Sequence, residues 1–335
     1  MRPTSTKLIG AALLSISAAT SMAHASSITV YSALEQDEIN TYLQQLRSDH
    51  PDLEVNVLRL STGDLAARLI AEAERPQVDV VWGMALSNMI DPQILGQLAP
   101  YTPEGIDVLA APYKDDEGRW FAATGYLGAL CINEPMIERL GLPMPTSWAD
   151  LADPVYKGEI VMPNPASSGT GYMQMVAIEQ GTPDGWELIE QIDKNVAQYT
   201  SSGSRPCQMA RTGEYAIGAS FAFVAMRSIA EGYPIKMVIP EDFAGYELEA
   251  SAMLSSSANP EAAQKFLDWT LSDSVADLYG AYKEIVTIPG ASRPEGADEA
   301  GLPANVEEVL FPMDFAQSAN DRPNFMAEWQ QRIGR

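Results

Sequence analysis

The sequence predicts an α/β protein of two lobes, each a mostly parallel sheet flanked by helices. Three observations carry that expectation. Strand-like and helix-like segments alternate as β-α-β-α-β over residues 27–83, the pattern of a parallel sheet with helices on both faces. A second α/β series begins after residue 120. The chain beyond its first 25 residues runs to about 310 residues, more than one core comfortably serves.

In order, residues 27–31 read as a strand and 32–35 as the loop after it. Residues 38–47 carry Ile39, Leu43 and Leu46 at helical spacing, and 53–57 alternate as a half-buried strand does. Ser61-Thr62-Gly63 opens a second helix with Leu65, Leu69 and Ala73 on its face; 78–82 is a third strand ending at Gly83. Residues 121–126 run directly into 127–132 with no helix between them. Two extended pieces so joined predict a strand that leaves one sheet for another, with Tyr126 on the hinge. Further strands are expected at 159–162, 198–201, 215–219 and 235–239. Helices are expected near 148–151, 172–178, 186–192, 207–211 and 223–230. Residues 248–254 look like a return strand, 260–282 supply two helices and 320–335 a terminal one. The chain thus passes between lobes more than once. The expected division is 26–124 plus 248–290 for lobe 1 and 125–247 plus 291–335 for lobe 2.

Residues 1–25 hold Arg2 and Lys7, an apolar run from Leu8 to Met22, and the ending Ala23-His-Ala25. That is the form of a cleavable secretory signal peptide, and it predicts an exported, periplasmic protein. The formal charge is −24 and becomes −26 once Arg2 and Lys7 leave with the leader. Such acidity argues against nucleic acid or an anionic membrane as partner. Any anionic ligand must be held by local dipoles rather than by the global field. Two cysteines, Cys131 and Cys207, in an oxidising compartment favour a disulfide, the alternative being two buried thiols.

Ligands of parallel sheets bind at the carboxyl ends of strands, where loops gather. Those ends carry Ser32 to Glu35, Ser61-Thr62, Trp82-Gly83 and the aromatic Phe221. The most informative loop is 161–172, Val-Met-Pro-Asn-Pro-Ala-Ser-Ser-Gly-Thr-Gly-Tyr. A short strand there runs through two prolines into Ser167, Ser168, Gly169 and Thr170, and then into a helix. A helix start leaves N–H groups unpaired under a positive dipole end, so an oxyanion fits without a basic side chain. The alternative is an ordinary N-cap. The loop 200–206, with Ser204 and Arg205, has the same style; Arg205 either contacts an anion or solvates the loop.

Catalytic constellations are scarce. The only histidine past the leader is His50, in a turn, and Gly218-Ala-Ser-Phe-Ala222 only half-resembles a nucleophile elbow. Zinc sites built from His and Cys are unavailable. No catalytic residue, metal ligand or cofactor is expected, and the chain reads as a protein that binds without transforming. A secreted hydrolase of phosphoesters or phosphonates is the competing class.

The 28–32 strand, Asp79-Val-Val-Trp82, Pro154-Val-Tyr-Lys-Gly-Glu-Ile-Val161, the Ser168-Gly169-Thr170 turn and Gly213-Glu-Tyr-Ala-Ile-Gly218 together resemble periplasmic substrate-binding proteins of ABC importers. The subgroup resembled takes up ferric iron, thiamine, sugar phosphates and 2-aminoethylphosphonate. The resemblance implies the type II periplasmic binding protein fold, hinged by crossover strands, a monomer, and an ABC permease in the inner membrane as partner. Ferric-iron members carry adjacent tyrosines where this chain has Phe221-Ala222, and commonly a histidine near Glu35; this chain has neither. An oxyanion site kept without those metal ligands suggests that the oxyanion belongs to the ligand. The whole looks most like 2-aminoethylphosphonate-binding proteins, with Glu35 as countercharge to the amine and Tyr126, Trp82 and Phe221 walling the alkyl chain. Phosphate, a phosphosugar, thiamine and ferric iron with a synergistic anion stay open as ligands.

Overall fold

The computed structural model describes residues 26–335; the expected leader at 1–25 lies outside them. β1 (Ser26–Ser32), α1 (Gln36–Asp49), β2 (Leu53–Arg59), α2 (Thr62–Ala71) and β3 (Val80–Ala85) follow the alternation read from the sequence. In α1 the face bearing Ile39, Leu43 and Leu46 is buried, as an amphipathic helix on a sheet requires. Two one-turn helices, α3 (Leu86–Met89) and α4 (Pro92–Leu95), and the short β4 (Leu98–Ala99) complete this run. β5 (Phe121–Asn133) is buried along its whole length. The next series is α5 (Glu134–Leu140), β6 (Ile160–Pro163), α6 (Gly169–Gly181), α7 (Gly185–Asp193), β7 (Val196–Thr200), α8 (Arg205–Arg211), β8 (Ile217–Phe221), α9 (Ala222–Ala230) and β9 (Ile235–Val238). β10 (Tyr246–Leu254) then returns, followed by α10 (Pro260–Trp269), α11 (Asp273–Tyr282), β11 (Ile285–Val286) and α12 (Phe315–Arg332).

Two differences from expectation have local causes. The helix expected near 148–151 is a single 3-10 turn, Ala149–Ala152, because Asp153 precedes Pro154 and is held extended. The terminal helix starts at Phe315 rather than 320, since Asp314 caps it by accepting from the Gln317 N–H.

The strands form one continuous path, β2-β1-β3-β10-β5-β8-β6-β7. β1 pairs in parallel with β2 and β3, and β6 in parallel with β7 and β8. Between these two trios lie β10 and β5, antiparallel to each other and to their outer neighbours. The first half of β5 pairs with β10 and β11, and its second half with β8 and β9. The strand crossing expected at Tyr126 is thus present, since Gly125 and Tyr126 face β10 while Gly128 onward faces β8. The result is the two-lobed α/β fold.

Each lobe has its own core. On one side Trp82, Phe266, Trp269, Tyr42 and Tyr279 pack with Ile28 and Val30; on the other Trp148, Tyr156, Ile160, Ile189 and Trp329 gather. Cys131 on β5 and Cys207 on α8 form a buried disulfide with Cα atoms 5.2 Å apart. It ties α8, and with it the loop at Gly203-Ser204, to the crossover strand.

Candidate functional site

The two helix starts read from the sequence face each other across the gap between the lobes. α2 begins at Thr62 behind Ser61, at the carboxyl end of β2; α6 begins at Gly169 behind Ser168, at the carboxyl end of β6. The Ser168 side chain accepts from Gly171 N, so this serine caps its helix. Every residue of α6 from Gly169 to Ile178 is buried, which fixes the helix in depth. The tips touch: Gly63 N donates to Ser167 O at 2.9 Å. Glycine is required for this approach, because a Cβ at 63 would overlap the Ala166 carbonyl oxygen and lie 2.8 Å from Ser167 Cα. At Gly169 a Cβ would lie 3.0 Å from Thr62 Oγ1.

These tips border a cavity of about 30 Å³ lined by Glu35, Arg59, Ser61, Thr62, Tyr126, Ser168, Gly169, Thr170 and Phe221, and floored by Glu38, Glu249 and Lys283. At roughly 10–15 Å³ per enclosed water, it is matched to two or three waters or one small polar group. A far larger cavity, about 800 Å³, lies between β11 and the 289–315 segment. It is bordered by Tyr113, Tyr246, Phe311 and Phe315, the first residue of α12, together with Glu284, Arg293 and Glu307, whereas the smaller cavity is the one where two helix starts meet.

Glu35 spans the gap. Its Oε1 accepts from Arg59 Nη2 at 2.9 Å and its Oε2 from Ser204 Oγ at 3.1 Å. Beneath it, Lys283 Nζ lies 2.7 Å from Glu38 Oε1 and 2.8 Å from Glu249 Oε1. Thr124 Oγ1 donates to Glu249 Oε2, and Glu35 N to Glu38 Oε2. All three charged side chains are buried. Burial pushes the Glu38 carboxyl up to about 7 against the pull of Lys283. For Lys283 burial acts downward, but the Glu249 and Glu38 carboxylates outweigh it and hold the ammonium above its ordinary value. Tyr126 is likewise raised by burial, so its hydroxyl stays protonated as a donor.

Of the residues singled out from the sequence, Glu35, Ser61, Thr62, Tyr126, Ser168, Gly169, Thr170 and Phe221 border this cavity. Four do not. Trp82 points the other way from its strand into the lobe core, with its ring 5.3 Å from Phe266 in a T-shaped pair; the adjacent Gly83 borders the cavity instead. Ser32 is wholly buried, donating to Trp82 O and accepting from Leu34 N, so its hydroxyl is consumed in shaping the strand end. Ser167 contributes its carbonyl to the tip contact, and Ser204 holds Glu35. Arg59, Glu38, Glu249 and Lys283 were missed. Arg59 sits at a strand end, where the rule applied to Ser32 would have found it. Glu249 is one of two carboxylates, with Glu247, inside a buried return strand, a sign of a buried role. Glu38 and Lys283 looked like ordinary helix-end charges.

Comparison with known proteins gives these features a context. Residues 83–299 match the family model of bacterial extracellular solute-binding proteins. The chain is 27% identical over 290 residues to an uncharacterized protein of Haemophilus influenzae, covering 84% of each. It is 27% identical to a probable ABC transporter periplasmic-binding protein of Sinorhizobium fredii, over 71% of this chain and 68% of that one. Among solved structures it is similar to the periplasmic binding protein AfuA of Actinobacillus pleuropneumoniae with fructose-6-phosphate bound, with TM-score 0.84, 24% identity and coverage of 92% and 98%. It is similar in fold to a periplasmic thiamin binding protein, with TM-score 0.77, 18% identity and coverage of 92% and 96%. Among the described residues no helix is long and apolar enough to cross a membrane. The chain belongs to the bacterial extracellular solute-binding proteins, the receptors that serve ABC transporters.

Proposed function

We propose that this receptor binds a small phosphonate zwitterion, 2-aminoethylphosphonate, between its lobes and delivers it to an inner-membrane ABC permease. The observation that carries the reading is the meeting of two helix N-termini, one from each lobe, at a small cavity ringed by hydroxyls. Each start directs unpaired N–H groups and a positive dipole end at the same point. Ser61, Thr62, Ser168, Gly169 and Thr170 supply the donors for the anionic group, and Arg59 adds a cation at the rim. Bonds to a charged acceptor are about twice as strong as neutral ones, so several together hold an oxyanion in an acidic protein. Tyr126 and Phe221, with rings 5.3 Å apart, wall the alkyl chain. Ser32, Ser167 and Ser204 support this frame rather than touch the ligand, and Trp82 stays in the core. Lobe 1 comprises 26–124 plus 248–290 and lobe 2 comprises 125–247 plus 291–335. The mature protein is a monomer released by signal-peptide cleavage.

A ring of hydroxyls and positive dipole ends suits an oxyanion better than cationic thiamine, and among the described residues no cluster of His, Cys, Asp and Glu fit for a metal ion is found, which disfavours ferric iron. A phosphosugar is the second reading, because the structural neighbour AfuA is described with fructose-6-phosphate bound and shares the need for an oxyanion seat. Titration calorimetry with 2-aminoethylphosphonate, phosphate, glucose 6-phosphate and thiamine separates these. Heat with the aminophosphonate alone supports the proposal; heat only with the sugar phosphate or thiamine rejects it. Release of phosphate or aldehyde over time would instead establish the competing hydrolase.

A further inference from the structure

The cavity lining carries an imbalance of charge. Glu35 is matched by Arg59 at 2.9 Å. Below that pair, two carboxylates share one ammonium, Lys283, at 2.7 and 2.8 Å. Glu38, Glu249 and Lys283 come from α1, from β10 and from the end of α11. All are nearly inaccessible, at 0, 5 and 2% exposure, so water offers little compensation. Among the described residues Lys283 is the one cation within ion-pair reach of either carboxylate, and it also lies 5.3 Å from the Phe223 ring. With both carboxylates ionised, the cluster holds one negative charge in excess. A buried unpaired charge is costly and is relieved by a proton or by a cation brought from outside.

We infer that the Glu38–Lys283–Glu249 cluster is the specificity determinant for the cationic end of the ligand, admitting zwitterions over anions of the same shape. This deepens the phosphonate reading above and rests on it. Glu35, the carboxylate expected at the amine, is engaged by Arg59 and Ser204 and braces the two lobes. The ammonium of the ligand meets Glu38 and Glu249, which line the same cavity as the oxyanion seat at Thr62 and Gly169. An anion without an ammonium would face the cluster's excess charge uncompensated.

The test compares 2-aminoethylphosphonate with 2-hydroxyethylphosphonate by calorimetry at about pH 8, above the value of about 7 to which burial lifts Glu38. The two ligands match in size and both can donate a hydrogen bond at that end, but only the ammonium carries a charge. A unit charge about 5 Å from one excess charge, at an effective dielectric near 20, is worth on the order of a hundredfold in affinity. Desolvation of the ammonium takes back part of this, leaving a preference of about 30-fold for the amine. In Glu249→Gln and Glu38→Gln that preference is expected to fall below about threefold, with the hydroxyl analogue bound as well as or better than by the wild type. Wild-type affinities within threefold of each other overturn the inference, whether or not the variants fold, and leave the phosphonate reading standing. Absence of heat from both ligands removes the reading and the inference together.

Discussion

Gly63→Ala isolates the contact on which ligand capture depends. A methyl at this position overlaps the Ala166 carbonyl oxygen and approaches Ser167 Cα to 2.8 Å, so the two helix tips must part by about an ångström to reach ordinary contact. Within α2 alone the change is favourable, because alanine in place of glycine adds up to about 1 kcal/mol to helix stability. Parting the tips breaks the Gly63–Ser167 hydrogen bond, about 1 kcal/mol, and stretches at least one bond to a charged group, about 1.5–3 kcal/mol. The sum, about 2.5–4 kcal/mol, corresponds to a Kd weaker by roughly 100- to 1,000-fold. Calorimetry with 2-aminoethylphosphonate reads the affinity, and a melt of the ligand-free protein reads the fold. Expected is an unchanged or higher melting temperature with affinity lost. Wild-type affinity in this variant would refute the reasoning, since capture would then not need the tips to meet. A large drop in melting temperature would refute it as well, by placing Gly63 inside a lobe's packing.

Thr62→Val and Thr170→Val keep volume and remove one hydroxyl each from the cavity wall; each is expected to weaken phosphonate binding about 10- to 100-fold, read by the same calorimetry. The disulfide joins cysteines 76 residues apart, and in the chain-entropy account closing such a loop stabilises by about 4.5 kcal/mol. The Cys131→Ser, Cys207→Ser double variant should therefore show a lower urea midpoint, and the native bridge, buried at both sulfurs, should resist dithiothreitol until the protein opens. Burial holds Glu38, Glu247 and Glu284 each near 7, above the value of about 4.3 for an exposed glutamate. The folded state then binds more protons than the unfolded one between those values, so stability present at low pH is lost as pH rises through 7. Differential scanning calorimetry without ligand should find a melting temperature a few degrees higher at about pH 5.5 than at about pH 8. Glu284→Gln, which keeps an acceptor for Leu127 N, should flatten that slope.

The fold was legible because its signals are periodic and local. Ile39, Leu43 and Leu46 marked a helix face, the alternation of 53–57 marked a strand, and the run through 121–132 without a breaker marked the crossing. The helix starts at Thr62 and Gly169 were legible for the same reason, since caps and glycines lie beside the helices they open. The floor of the cavity was not. Glu38 lies more than 200 positions from Glu249 and Lys283, and the three meet only because β10 and the end of α11 return to α1. Trp82 shows the complementary limit. Its strand end was correctly placed at the gap, but side chains alternate between faces, and which face Trp82 takes is decided by the aromatic residues of α10 far along the chain.

The crossover strands hold a consequence for how such a receptor signals its state. β10 shifts register against β5 between Glu249 and Ala250, so the sheet bends at the peptide that also presents one of the two carboxylates to Lys283. Glu38, Glu249 and Lys283 all fall within lobe 1 of the proposed division, so the charged floor travels with that lobe when the angle between lobes changes. A permease reading the outline of the molecule would then be reading where the second lobe stands over a charge that stays with the first.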